Sequence, residues 1–328
     1  MICLGIESTA HTFGIGIVKD GKVLSNIKRT YTTESGGIIP MESAKHHQEN
    51  KNEIYFEALD EASIKEGDID VISFSQGPGL APCLLEGMKF AKELTTKLKK
   101  SIVPVNHCIA HLEIGKLTGA KNPVMLYVSG ANTQIIAYEE GKYRIFGETL
   151  DIGVGNFIDN FARYLGIGFP GGPTIQKLAE KGEHYIELPY KVKGMDITLS
   201  GILTNLKQKV ESKKYSTNDL AYSMQETIFA MLVETAERAL AHTGKNELLL
   251  GGGVACNSRL QEMCKIMCKE RKAKFFCPDN SLLQDNGAMI AYTGEILFNN
   301  GDYIDVKDID ITDILPRQRT DDVEIKYK

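Results

Sequence analysis

Leu4-Gly5-Ile6-Glu7-Ser8-Thr9-Ala10-His11-Thr12-Phe13-Gly14-Ile15-Gly16-Ile17-Val18, followed by Lys19-Asp20-Gly21-Lys22, decides how this chain is read. An apolar run, a polar Gly/Ser/Thr loop, a second apolar run and an Asp-Gly turn spell strand, loop, strand and tight turn. The same order returns at Leu126-Tyr127-Val128-Ser129-Gly130-Ala131-Asn132-Thr133-Gln134-Ile135-Ile136-Ala137-Tyr138, closed by Glu139-Glu140-Gly141-Lys142. Two copies of one plan predict two duplicated α/β domains facing each other, residues 1–120 and 121–328, with the ligand site in the cleft between them.

Helical periodicity fills the intervals at 44–66, 81–99 and 219–243, the last with Leu220, Met224, Ile228, Met231, Leu232 and Ala239 on its apolar side. Ile102-Val103-Pro104-Val105 reads as a short buried strand, and the acidic tail from Asp302 as a strand pair, a linker or both. The 328 residues are 42% hydrophobic and 25% charged, as in an ordinary globular protein. No apolar run approaches the ~18–20 residues that span a bilayer, and the first residues lack the basic start of a signal peptide. Seven cysteines scattered from Cys3 to Cys277 form neither a disulfide framework nor a zinc knuckle, so a reduced, cytoplasmic location without membrane contact is expected. A net charge of −5 argues against broad coating of nucleic acid. Local lysine clusters remain, at Lys97, Lys99 and Lys100, at Lys207, Lys209, Lys213 and Lys214, and around Arg271. They read first as solvated helix faces, with a local RNA patch as the alternative.

Asn106-His107-Cys108-Ile109-Ala110-His111 puts two imidazoles one helical turn apart, a spacing that allows both to bind one metal ion and equally allows ordinary packing. A zinc peptidase of the HExxH kind would carry Glu after the first histidine, as its base; here Cys108 stands there. Four glycine-rich turns are suited to a nucleotide. Ser129-Gly130-Ala131-Asn132-Thr133 offers hydroxyls and backbone N–H groups for phosphate. Gly153-Val154-Gly155-Asn156 opens a helix, and Asp159 follows one turn later, facing ribose hydroxyls. Gly171-Gly172-Pro173 starts another helix, and Gly251-Gly252-Gly253 leads to Asn257, a further ligand contact. Neither a GxxxxGK[ST] loop nor a GxGxxG in a first βαβ unit is present, so phosphates are held in another way. The layout resembles the superfamily of actin, the sugar kinases and the Hsp70 ATPase domain (ASKHA).

Gly36-Gly37-Ile38-Ile39-Pro40 with His46-His47, Gln76-Gly77-Pro78-Gly79-Leu80 and Asp285-Asn286-Gly287-Ala288-Met289 complete an ordered series of motifs running from Gly5 to about residue 295. In these the chain resembles the universal tRNA N6-adenosine threonylcarbamoyltransferases. Ala81-Pro82-Cys83-Leu84 is similar to the archaeal and eukaryotic branch. The resemblance implies transfer of a threonylcarbamoyl group from threonylcarbamoyl-AMP, an ATP/AMP-type nucleotide, to N6 of adenosine 37 in tRNAs reading ANN codons. It also implies partners: tRNA, and the KEOPS complex with its small protein kinase, separate or fused C-terminally, and a small dimerisation subunit.

The same resemblance implies metal ligands at His107, His111, Tyr127 and Asp285, with Asp285 also placed to cap the helix after it. Such donors suit a divalent iron or zinc ion better than magnesium, and the phenol tips the expectation to iron. Glu7 and His11 are the expected bases; Tyr127, Val128, Ser129, Gly130, Ala131, Asp159, Gly172, Gln176 and Asn257 the expected nucleotide contacts. Three positions depart from the family pattern: Gln176 for the usual Glu, Leu199 for a frequent Phe, and Met41 for a basic residue. Outside the transferase reading stand a metallopeptidase, which lacks its glutamate, and a noncatalytic nucleotide-binding switch, for which the histidine pair has no use.

Overall fold

The computed structural model describes residues 1–327. Alternating apolar side chains build β1 (Ile2–Glu7), β2 (Thr12–Lys19) and β3 (Lys22–Thr30), an antiparallel meander turned at Asp20-Gly21, where both residues take positive φ. β4 (Val71–Gly77) and β5 (Ser101–Asn106) then run parallel to β1, giving the sheet order β3-β2-β1-β4-β5. The connections are α1 (Pro40–Ala62) and α2 (Ala81–Leu98), packed on each other and on one face of the sheet. Each carries a proline in its first turn, where the missing N–H costs nothing.

The plan repeats. After α3 (His107–Gly115), β6 (Val124–Val128), β7 (Thr133–Glu139) and β8 (Lys142–Glu148) form a second meander. Helices α4 (Val154–Tyr164) and α5 (Gly172–Ala179), a small hairpin of β9 (Val192–Lys193) and β10 (Asp196–Ile197), α6 (Ser200–Glu211) and α7 (Thr217–Thr243) follow. β11 (Glu247–Gly251) and β12 (Lys274–Phe276), joined by α8 (Ser258–Glu270), complete the order β12-β11-β6-β7-β8, with β11 parallel to both neighbours. In α7 the six residues expected on its apolar side are buried, and Cys264 and Cys268 on α8 are buried free thiols. Each fully buried Leu or Ile in these faces contributes about 1.5–3 kcal/mol.

The chain then returns to its beginning. After α9 (Asn280–Leu283), α10 (Gly287–Asn299) lies on β1, β2 and β4 rather than on the second sheet. Glycines make this approach possible: a Cβ at Gly5 would sit 2.2 Å from the Ala291 nitrogen, one at Gly16 2.1 Å from that of Ala288, and one at Gly287 2.1 Å from that of Gly16. Helix α3 has all nine residues buried because it is shared. Ala110 and Ile114 pack with Val103 and Val105 of the first sheet; Cys108, Ile109 and Leu112 pack with Tyr127 and Leu249 of the second. The tail, expected as a strand pair or a linker, is neither. It holds two 3-10 turns, Val306–Ile311 and Thr320–Asp322, and only isolated bridges to the sheets. Among the described residues no helix is long and apolar enough to cross a membrane.

Candidate metal centre and nucleotide cleft

Parallel strands with helical crossovers leave their ligand sites beyond the carboxyl ends of the strands. Those ends are where the chemistry gathers. Glu7 closes β1, His107 follows β5, Tyr127 is the penultimate residue of β6, and Gly251 closes β11. Asn106 caps α3 by accepting the Ile109 N–H at 3.1 Å, which starts the helix at His107. Asp285 arrives from the opposite direction, on the turn before α10. The capping role expected for it belongs instead to Asn286, whose Oδ1 accepts the Met289 N–H at 3.0 Å. The Asp285 carboxylate is thereby left for the histidines.

His107, His111 and Asp285 offer ligand atoms that all lie within 4.8 Å of one another. The Nε2 atoms of His107 and His111 stand 3.5 and 3.4 Å from Asp285 Oδ1. Two ligand atoms bound at ~2.1 Å with tetrahedral angles would be about 3.4 Å apart, so the spacing is that of a metal site. Burial acts against the charged His107 imidazole, but the carboxylates of Glu7 and Asp285 outweigh it and hold the ring up at about 9. Burial likewise acts against the Asp285 carboxylate, and the His107 and His111 imidazoles overcome it, keeping it well below the usual range. Tyr127 packs against His111 with ring centroids 5.2 Å apart. Its hydroxyl and His111 Nδ1 are buried without a hydrogen-bond partner. Orphaned buried polar atoms cost about 1–3 kcal/mol each, and a bound ion is one way to satisfy such a hydroxyl. The two imidazoles and the carboxylate fit a divalent ion. Cys108, whose thiol burial pushes up to about 11, stands outside the cluster of His107, His111 and Asp285.

Glu7, expected as a base, is fully enclosed and occupied. Its Oε2 lies 3.0 Å from His107 Nδ1, and its Oε1 accepts the Thr9 N–H at 2.7 Å. When the His107 ring is neutral, that contact keeps its proton on Nδ1 and leaves Nε2 toward Asp285, an orienting role rather than that of a base in contact with substrate. Nothing in the sequence except an acid at the end of β1 signalled this pairing. His11 remains half-buried, its ring edge-on to Phe169 at 5.1 Å, close enough to bear electrostatically on both Asp159 and Asp285.

The four glycine turns converge in part by touching one another. In the Ser129 loop, Ser129 N–H donates to Asn132 O at 2.8 Å, while Ser129 O and Gly130 O accept the Gly155 and Asn156 N–H groups at 3.0 and 2.9 Å. Thr133 Oγ1 accepts the Val154 N–H at 2.9 Å. The first turn of α4 is thus capped from within, and Gly130 and Ala131 are the exposed residues at the loop tip. Gly252, at φ +88°, presses on the other side: a Cβ there would lie 2.4 Å from Val128 O. Asp159 Oδ1 accepts the Gly171 N–H at 2.8 Å, tying the α5 turn to α4; burial lifts this carboxyl above its usual range. A Cβ at Gly172 or Gly253 would meet nothing within 4 Å, so both face open space. Gln176 Nε2 reaches Ser258 Oγ at 3.1 Å, which brings it beside Asn257. Asn257 itself is committed: its oxygen caps α8 by accepting from Arg259 and Leu260, and its nitrogen donates to Gln225 Oε1 at 2.9 Å. One N–H of its amide is left for the ligand contact expected of it.

A family model described as TsaD, tRNA N6-adenosine threonylcarbamoyltransferase, matches residues 22–292. The tRNA N6-adenosine threonylcarbamoyltransferase of Thermococcus kodakarensis is 57% identical over 327 residues, covering 100% of each chain. A probable bifunctional tRNA threonylcarbamoyladenosine biosynthesis protein of Methanothermobacter thermautotrophicus is 51% identical over 329 residues, covering 100% of this chain and 61% of the relative. Among solved structures, HypF of T. kodakarensis shares the fold with a TM-score of 0.65 at 15% identity, over 92% of this chain and 48% of that one. The architecture, two α/β halves each built on a five-stranded sheet, is the fold shared with that structure. By the match of most of its length and by identity over all of it, the chain belongs to the tRNA N6-adenosine threonylcarbamoyltransferase family.

Proposed function

We propose that this protein transfers the threonylcarbamoyl group of threonylcarbamoyl-AMP to N6 of adenosine 37 in tRNAs reading ANN codons, with a divalent metal ion at His107, His111, Asp285 and Tyr127. The observation that carries the reading is the pair of Nε2 atoms at 3.4 and 3.5 Å from Asp285 Oδ1, on the helix shared by both halves, inside a family of this activity. Iron is favoured over zinc by the phenol.

In the reaction the N6 nitrogen attacks the carbamoyl carbon, the bond from that carbon to the phosphate oxygen breaks, AMP leaves with the electron pair, and the amine proton passes to a base. AMP is a good leaving group; the hard partner is an amine whose lone pair is delocalised into the purine. Positioning and charge stabilisation therefore matter most. The exposed backbone of Gly130 and Ala131 receives the phosphate, with Ser129 shaping the loop and Val128 backing it. Asp159 and Gln176 line the sugar and base side, and the open face of Gly172 lets the nucleotide approach backbone. Asn257 braces the α8 end of this pocket. His11, half-buried between Asp159 and Asp285, takes the amine proton, and Glu7 orients His107. When bound, the metal supplies a Lewis acid for donor oxygens.

Residues 1–120 and 121–328 serve as the two lobes, the second sending α10 back onto the sheet of the first. The cytoplasm fits seven free cysteines. The KEOPS partners, a small kinase and a small dimerisation subunit, fit the family branch and the extra length of the bifunctional relative. Incubation with tRNA, threonine, bicarbonate, ATP and a donor-forming enzyme, with and without such partners, tests the reading. Modified adenosine in nuclease digests supports it; ATP turnover without modification contradicts it.

A further inference from the structure

Among the described residues beyond 311 the tail adds only an isolated bridge to a sheet, yet it is bonded to both halves, to the cap of the histidine helix and to the helix itself. It first crosses the end of β4: the Leu315 N–H donates to Gln76 O at 2.8 Å, Gln76 Nε2 donates to Asp313 O at 2.8 Å, and the Gly79 N–H donates to Pro316 O at 3.1 Å. The fit is close enough that a Cβ at Gly77 would stand 1.9 Å from Leu315 O. Next, Gln318 Oε1 accepts from Asn106 Nδ2 at 3.0 Å. Asn106 is the cap that starts α3, so Gln318 holds the residue immediately before His107. The tail then touches the second sheet, through Thr320 Oγ1 to Gln134 Oε1 at 3.4 Å and Arg319 to Glu148 at 3.7 Å. Finally the Tyr327 hydroxyl donates to Glu113 Oε1 at 3.2 Å. Glu113 lies two residues beyond His111, is fully buried, and also accepts from Tyr143 and Lys116.

We propose that residues 312–327 form a strap that positions the metal centre, with Gln318 and Tyr327 as positioning residues that set α3 against Asp285. The reason is geometric. The candidate ligands ride on three separate supports: His107 and His111 on α3, Asp285 on the turn before α10, and Tyr127 on β6. Affinity for an ion depends on how well such supports are held in register before it binds. The strap joins the first sheet, the second sheet and the cap of α3.

The strap rests on the metal reading only for one of its two readouts. Zn2+ is titrated calorimetrically into metal-free wild type, Gln318→Ala, Gln318→Glu and Tyr327→Phe, and amide exchange of residues 107–115 is followed in the same metal-free proteins. Gln318→Ala and Tyr327→Phe are expected to weaken Zn2+ binding about tenfold and to speed exchange in α3. Gln318→Glu, which keeps an oxygen facing Asn106 Nδ2, is expected to restore both. Lower thermal midpoints with Zn2+ affinity and α3 exchange unchanged would overturn the strap, because packing alone predicts that pattern. Absence of Zn2+ binding in wild type would instead refute the metal centre, and the exchange data would still decide the strap.

Discussion

Glu7→Gln removes a negative charge 3.0 Å from His107 Nδ1 while keeping the side chain's shape. His107 is held at about 9, against an ordinary value near 6.5, because the Glu7 and Asp285 carboxylates outweigh the effect of burial. That difference corresponds to roughly 3 kcal/mol of preference for the protonated ring, shared between the two carboxylates. Two consequences oppose each other. At pH 7.5 an incoming ion must displace the His107 proton, which costs wild type about thirtyfold in affinity, and the variant escapes much of this. Against that, losing the carboxylate behind a ligating imidazole weakens metal binding by about 10–100-fold. The two proteins should therefore differ by less than about tenfold at pH 7.5. At pH 9.5 the proton no longer competes, and the variant should be about 10–100-fold weaker. Zn2+ titrations against a competing chelator at both pH values, in buffers of different ionisation heat, read affinity and proton release together. Wild type should release about one proton per ion at pH 7.5. Equal affinities at pH 9.5, or no proton release at 7.5, would refute the pairing of Glu7 with a ligating His107.

The same proton affects the stability of the metal-free protein. With the folded value of His107 raised to about 9, its contribution is fully present below about pH 6.5 and is lost as pH rises through 9, so the thermal midpoint of metal-free wild type should fall across that window and that of His107→Gln should fall less. Tyr127→Phe removes the phenol offered as a ligand, so Zn2+ should stabilise the variant less than wild type in denaturant unfolding; equal stabilisation would take Tyr127 out of the metal site. Gly172→Leu has open space for its side chain and should fold normally while raising the KM for the adenylate donor at least about tenfold. Gly153→Ala, whose Cβ would lie 2.4 Å from the Gly130 and Ala131 oxygens, should instead lose about 1–3 kcal/mol of stability, read from its denaturation midpoint.

Much of the architecture was legible because it is written locally. The Asp20-Gly21 and Glu140-Gly141 turns and the alternating runs around them specify two meanders, and the apolar period of residues 219–243 specifies α7. The long-range parts were not legible. Gly5, Gly14 and Gly16 look like weak points in strands until α10, from the far end of the chain, is seen to land on them. That landing puts Asp285 at the histidines, and only the fold brings Glu7 within 3.0 Å of His107. Asn257 is a different case: its place before Ser258 is a local capping signal, and the cap forms. The tail has no period because its bonds run through scattered backbone groups and single side chains such as Gln318.

The central claim is that transfer depends on an ion at His107, His111 and Asp285. It is tested most directly by incubating purified donor carrying labelled threonine with unmodified tRNA and either wild type or Asp285→Ala, each stripped of metal and then titrated with Fe2+ or Zn2+. The account predicts label in adenosine 37 only for wild type and only with about one ion bound per chain, with Asp285→Ala folded but inactive throughout. Equal labelling by stripped wild type, or by the variant, would contradict it.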